Sequence, residues 1–99
     1  MAQFDVYRAE AEGALVVDCQ CELLDELATR VVIPLYSPGQ TPWNFPRLAP
    51  MVQFGDQSFI LATPDMAAVA TRELGAPLGS IADQRYVILN AIDFLLTGS

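Results

Sequence analysis

The 99-residue sequence reads as a mainly β chain: a small antiparallel, barrel-like sheet followed by one C-terminal α-helix. Three observations carry this reading. A glycine-led pair, Gly55-Asp56, separates two apolar runs at 51–54 and 57–61. Two strand-like runs, 4–8 and 14–21, flank a short acidic turn. From Ser80 to Leu96 the apolar residues fall at helical spacing.

The elements follow in order. Residues 4–8 alternate between apolar and polar, as a first strand does. Residues 9–13 are small and acidic and end in Gly13, a turn. Residues 14–21 have β-branched Val16 and Val17 at their centre and read as the second arm of an antiparallel hairpin. Residues 23–28 are too short to separate a helical turn from a loop. Residues 31–35 form an apolar run consistent with a buried strand. Pro34 within it has no N–H for a ladder and is expected at an edge or a bulge.

Residues 37–50 hold Pro38, Pro42, Pro46, Pro50 and Gly39, and read as a surface loop pinned by Trp43 and Phe45. Gly55-Asp56 is the clearest local signal, because glycine supplies the positive φ that a two-residue hairpin needs. Over 63–75, local propensity gives a helix: Thr63 as N-cap, Pro64 as first helical residue, Gly75 as stop. Residues 76–79 are a linker. Ser80 with Asp83 resembles a capping box at the start of the last helix. Ile81, Ile88, Ile92 and Leu95 share one face, and Gly98 is the natural stop. A second stripe, Tyr86, Asn90, Asp93 and Thr97, leans polar, while Val87, Leu89, Ala91, Phe94 and Leu96 leave the helix apolar around most of its circumference. Such a helix is either deeply buried or offered to a partner.

Composition narrows the chemistry. The chain is long enough for one domain, residues 1–99, and 53% hydrophobic residues suffice for a packed core. Without histidine, Ser-His-Asp and Cys-His catalysis and histidine metal sites are excluded. Without lysine, a phosphate-loop lysine and Schiff-base chemistry are excluded. All five cations are arginines (Arg8, Arg30, Arg47, Arg72, Arg85), scattered in a chain of net charge −7. Nucleic-acid backbones are bound by clustered positive charge, so direct DNA or RNA binding is not expected. Arg30 and Arg72 read as surface charges or structural ion pairs, and Asp25-Glu26 as a polar turn. Cys19 and Cys21 are expected to be small buried hydrophobes rather than a disulfide or zinc site. No membrane-spanning run and no secretory signal is visible, which places the protein by default in the cytoplasm. These exclusions favour a protein that acts by binding another protein, without catalytic residues, cofactor or metal.

The segments Phe4-Asp5-Val6-Tyr7, Val17-Asp18-Cys19-Gln20, Val32-Ile33-Pro34-Leu35, Gly55-Asp56-Gln57-Ser58, Asp65-Met66-Ala67-Ala68-Val69 and Asn90-Ala91-Ile92-Asp93, with Gly98 near the end, resemble in order and spacing the CcdB toxins over the whole chain. The resemblance implies an SH3-like barrel with a C-terminal helix, shared with MazF-type toxins, and a homodimer. It implies the toxin of a type II toxin–antitoxin pair, which binds the DNA gyrase A subunit, traps gyrase on cleaved DNA and is neutralised by a CcdA-like antitoxin. It also implies a short turn and then a strand over 65–75, against the helix that propensity gives. The gyrase-contacting residues that it implies are Leu23, Leu24, Asp93, Thr97, Gly98 and Ser99. For Leu23 and Leu24, core packing and partner contact stand about even. The family pattern ends in tryptophan, glycine and isoleucine where this chain has Thr97, Gly98 and Ser99, and it has asparagine where this chain has Asp93. Two alternatives accompany this reading: a MazF-like endoribonuclease, and a non-toxic chromosomal relic that still dimerises and binds antitoxin.

Overall fold

A computed structural model describes residues 2–9, 14–42 and 45–98. Seven strands form one antiparallel sheet: β1 (Asp5–Ala9), β2 (Ala14–Asp18), β3 (Thr29–Tyr36), β4 (Met51–Phe54), β5 (Gln57–Leu61), β6 (Ala67–Ala70) and β7 (Gly79–Ser80). The strand order is β4-β5-β3-β2-β1-β7, with β6 also on β3. An isolated bridge joins Ala9 to Leu74, drawing the chain after β6 onto β1 and nearly closing the barrel. The chain ends in helix α1 (Arg85–Thr97). Among the described residues no helix is long and apolar enough to cross a membrane.

Strand alternation explains why the central strands are apolar on consecutive positions. Successive side chains point to opposite faces, and both faces are covered. Val6, Val17, Ile33 and Leu35 join Val52, Leu61, Ile81, Ile88 and Ala91 in one core beneath α1. Their neighbours Tyr7, Val16 and Val32 pack with Val69 and Leu74 in a second core. The C-terminal helix therefore seals one face, and the segment from β6 to Leu74 seals the other.

Pro34 lies in a central strand, not at an edge, but its lack of an N–H is accommodated. On one side of β3, residues 29–32 pair with β6 and residues 35–36 pair with β5. Pro34 falls in the gap, where its carbonyl accepts from Ala62 N–H at 2.9 Å. The expected hairpin forms with the expected register, Phe54 opposite Gln57, and Gly55 has φ +62°.

Four local expectations are corrected. The first strand begins at Asp5, because Phe4 has a left-handed backbone, φ +71°. The second ends at Asp18, so Cys19 and Cys21 are off the strand. Propensity's helix over 63–75 is absent: short 3-10 turns, Thr63–Asp65 and Thr71–Glu73, flank β6, as the family resemblance implied. Pairing of Ala67–Ala70 with β3 and burial of Val69 override local preference there. Ser80 is not a helix cap but the partner of Asp5 in β7; its Oγ accepts from Ala82 N–H at 3.1 Å. A 3-10 turn, Ala82–Gln84, then leads into α1. The acidic turn at 10–13 and Trp43 lie outside the described residues.

Candidate partner-binding surface

The site begins with the stretch between β2 and β3. Glu22–Leu24 form one 3-10 turn with no buried residue. Cys21 caps it, its Sγ accepting from Leu23 N–H at 3.5 Å. Cys21 is exposed and Cys19 half-buried, so only Cys19 approaches the expected buried state. Burial pushes the Cys19 thiol up to about 12, with the Asp18 charge adding to the shift. A thiol so shifted stays protonated and unreactive near neutral pH.

Leu23 is 92% exposed and Leu24 49%, with Leu27 beside them at 50%. The core reading of Leu23 and Leu24 is therefore excluded, leaving exposed adjacent leucines of the kind found at interfaces. Beneath them lies a polar cluster that the sequence reading did not assemble. Arg30 and Asp18 are fully buried, and Gln20 is buried. Arg30 Nε and Nη2 donate to Asp18 Oδ2 at 2.9 and 2.7 Å. Asp18 Oδ1 accepts from Gln20 N–H at 3.0 Å. Of the two readings of Arg30, surface charge or structural ion pair, the second holds; Arg72 is exposed. The signal was Asp18-x-Gln20, polar residues continuing an apolar strand, followed by an arginine opening the next apolar run.

The second part of the site is the far end of α1. Ile88 and Ala91 are its buried residues, and Ile81 before it is buried too. This anchors one face and turns Tyr86, Asn90, Asp93 and Thr97 outward. Tyr86 is 74% exposed and Leu96 72%. Leu95, expected on the inner face, is exposed as well. Thr97 Oγ1 donates to the Asp93 carbonyl at 2.7 Å. Gly98 closes the helix at φ +75°, its N–H donating to Phe94 O at 2.9 Å. Glycine suits this left-handed cap because it has no Cβ to strain.

The loop before β4 packs on the same helix. The Phe45 and Phe94 rings are 5.3 Å apart, and the Arg47 guanidinium lies 4.5 Å from the Phe94 ring centre. Phe45 thus pins the loop as expected. Pro46, Arg47, Pro50, Val87, Asn90 and Asp93 line an open groove of about 450 Å³. Of the expected contact residues, Asp93, Thr97 and Gly98 are gathered at the helix end. Leu23 and Leu24 stand on a separate turn, and Ser99 lies outside the described residues.

The arrangement is two exposed, partly apolar projections on a buried scaffold. Among the described residues no group of three or more Cys, Asp or Glu is placed to hold a metal. A family model described as the CcdB protein matches residues 3–98. With the nearly closed barrel and C-terminal helix that were expected of it, the chain belongs to the CcdB family, the toxins of toxin–antitoxin systems.

Proposed function

We propose that the protein is a toxin that docks on the DNA gyrase A subunit as a homodimer, traps gyrase on cleaved DNA, and is neutralised by a CcdA-like antitoxin. The observation that carries this reading is Leu23, 92% exposed on an anchored turn. Family membership supplies the partner. Leu23 and Leu24 supply apolar contact area, and Asp93, Thr97, Gly98 and Ser99 supply the helix-end contact. The protein performs no chemistry in this reading and acts in the cytoplasm, where gyrase is. Exposed Tyr86, Val87, Leu95 and Leu96 offer apolar surface that a second copy or a partner covers.

The ribonuclease alternative is disfavoured by where the cations go. Arg30 is spent on Asp18 inside the barrel, and Arg47 lies over the Phe94 ring. Arg8, Arg47, Arg72 and Arg85 stay exposed, but they are outnumbered by carboxylates in a chain of net charge −7, which repels an RNA backbone. Expression in a gyrase-sensitive bacterium tests the proposal, beside a strain whose gyrase A subunit resists the family. Growth arrest confined to the sensitive strain is expected. Arrest in both strains, with cleavage of a single-stranded RNA by the purified protein, would favour the ribonuclease. Normal growth in both would favour the relic.

A further inference from the structure

The buried polar cluster does more than fill the barrel. Arg30 reaches past Asp18 toward the leucine turn: Nη1 donates to Asp25 Oδ1 at 3.2 Å, and Nη2 to the Gln20 carbonyl at 3.5 Å. Gln20 adds a further tie. Its Oε1 accepts from Val31 N–H at 3.1 Å, and its Nε2 donates to the Leu24 carbonyl at 3.1 Å. These ties bracket the Glu22–Leu24 turn, which buries no residue of its own.

A buried ion pair is weak evidence of stabilisation, because desolvating two charges offsets their attraction. A three-residue 3-10 turn has poor hydrogen-bond geometry and does not hold itself. Exposed leucines gain nothing in water from a fixed orientation. The shape of this turn is therefore imposed from below, by groups whose own burial is otherwise costly.

We propose that Arg30, with Asp18 and Gln20, is a positioning device that pre-orders the Glu22–Asp25 segment so that Leu23 and Leu24 meet the protein partner as a rigid apolar tooth. The inference rests on the reading of Leu23 and Leu24 as gyrase contacts. Pre-ordering lowers the entropy lost on docking, so it raises affinity without adding a contact.

Gln20→Met and Asp25→Ala cut ties to the turn and keep the Arg30–Asp18 pair. Asp25→Asn keeps an acceptor oxygen for Nη1 and is the conservative control. Arg30→Met is unsuitable, since it strands the Asp18 carboxylate in the interior. Amide order parameters of the free protein are expected to drop below about 0.6 at residues 22–25 in Gln20→Met and Asp25→Ala, with the strands unchanged apart from Val31, whose N–H loses its Gln20 Oε1 acceptor in Gln20→Met. Calorimetric titration with a gyrase A fragment should show these two binding about tenfold more weakly, and Asp25→Asn nearly as tightly as the parent. Leu23→Ala is titrated beside them. If Leu23→Ala weakens binding but the turn keeps its order in both tie variants, the positioning role is overturned alone. The same holds if the turn loses order with no loss of affinity. If Leu23→Ala binds as tightly as the parent, the contact reading fails and the positioning role falls with it.

Discussion

The two exposed projections are held in opposite ways. Helix α1 is fastened by apolar burial: Ile88 and Ala91 sink into the core and leave Asp93 and Thr97 outside. The Glu22–Leu24 turn has no buried side chain; Gln20 and Arg30, the latter seated on Asp18, tie it from below, beside the Cys21 cap and a bond from Gln3 N–H to Glu22 Oε1. An apolar anchor tolerates small changes of angle, whereas a hydrogen-bonded one fixes distance and direction. The barrel thus presents one surface that can repack on a partner and one that is pre-set.

The largest effect should come from cutting the polar anchor at its root. Asp18→Ala leaves Arg30 buried without its main partner and should cost about 3–5 kcal/mol in urea unfolding. Ile88→Ala, the matching cut in the apolar anchor, should cost about 2–5 kcal/mol. The distinguishing result is local: Ile88→Ala should leave the order of residues 22–25 untouched. Disorder of that turn in Ile88→Ala would mean that the two anchors are one.

A smaller effect sharpens the polar side. Cys19 packs against the core beneath α1, and its thiol is raised from 9.0 to about 12 in the folded chain. The sign follows from proton uptake. Below pH 9 both states hold the proton and the full stabilisation is present. Above it the unfolded chain ionises first, so stability falls until the folded thiol also ionises. Raising the pH from 8 to 11 should therefore remove roughly 2–3 kcal/mol, and Cys19→Ala should lose less over the same span. Buried Tyr7, whose hydroxyl is also raised, chiefly by burial and then by the charge of Asp5, adds a decline in the same direction above its ordinary 10.0. Chemical denaturation at the two pH values reads both; equal losses in the parent and Cys19→Ala would remove the cysteine's share.

What could be read from the chain alone followed the range of the forces involved. The Gly55-Asp56 hairpin and the Gly98 cap rest on the φ of one residue, and both were legible. The stretch 63–75 was misread by propensity because β6 exists only against β3, more than thirty positions earlier in the chain. Ser80 was misread for the same reason: its partner is Asp5. The exposed Leu23 and Leu24 were visible as a pair, but nothing local separates a buried leucine from an exposed one. Arg30 was legible as a possible ion-pair partner, but its burial and its partners were not, because Asp18, Gln20 and Asp25 converge on it only when β2 and β3 pair.

The least perturbing change to the fold bears on the largest functional question. Beyond its two chain neighbours, nothing lies within 4 Å of where a Cβ on Gly98 would sit, so Gly98→Arg meets only the strain of φ +75° at a helix end. That strain costs roughly 1–2 kcal/mol, and the barrel stays folded. Thr97→Trp, beside it, adds an aromatic at the helix end and should tighten the gyrase contact by about 1–2 kcal/mol. A supercoiling and DNA-cleavage assay with purified gyrase, ATP and plasmid, run on the parent and both variants, is the most direct measurement. The parent should inhibit supercoiling and leave linear DNA after denaturation, Thr97→Trp should do so at lower concentration, and Gly98→Arg should do neither. Undiminished inhibition by Gly98→Arg would contradict docking through the helix end, and an inert but folded parent would contradict gyrase as the target.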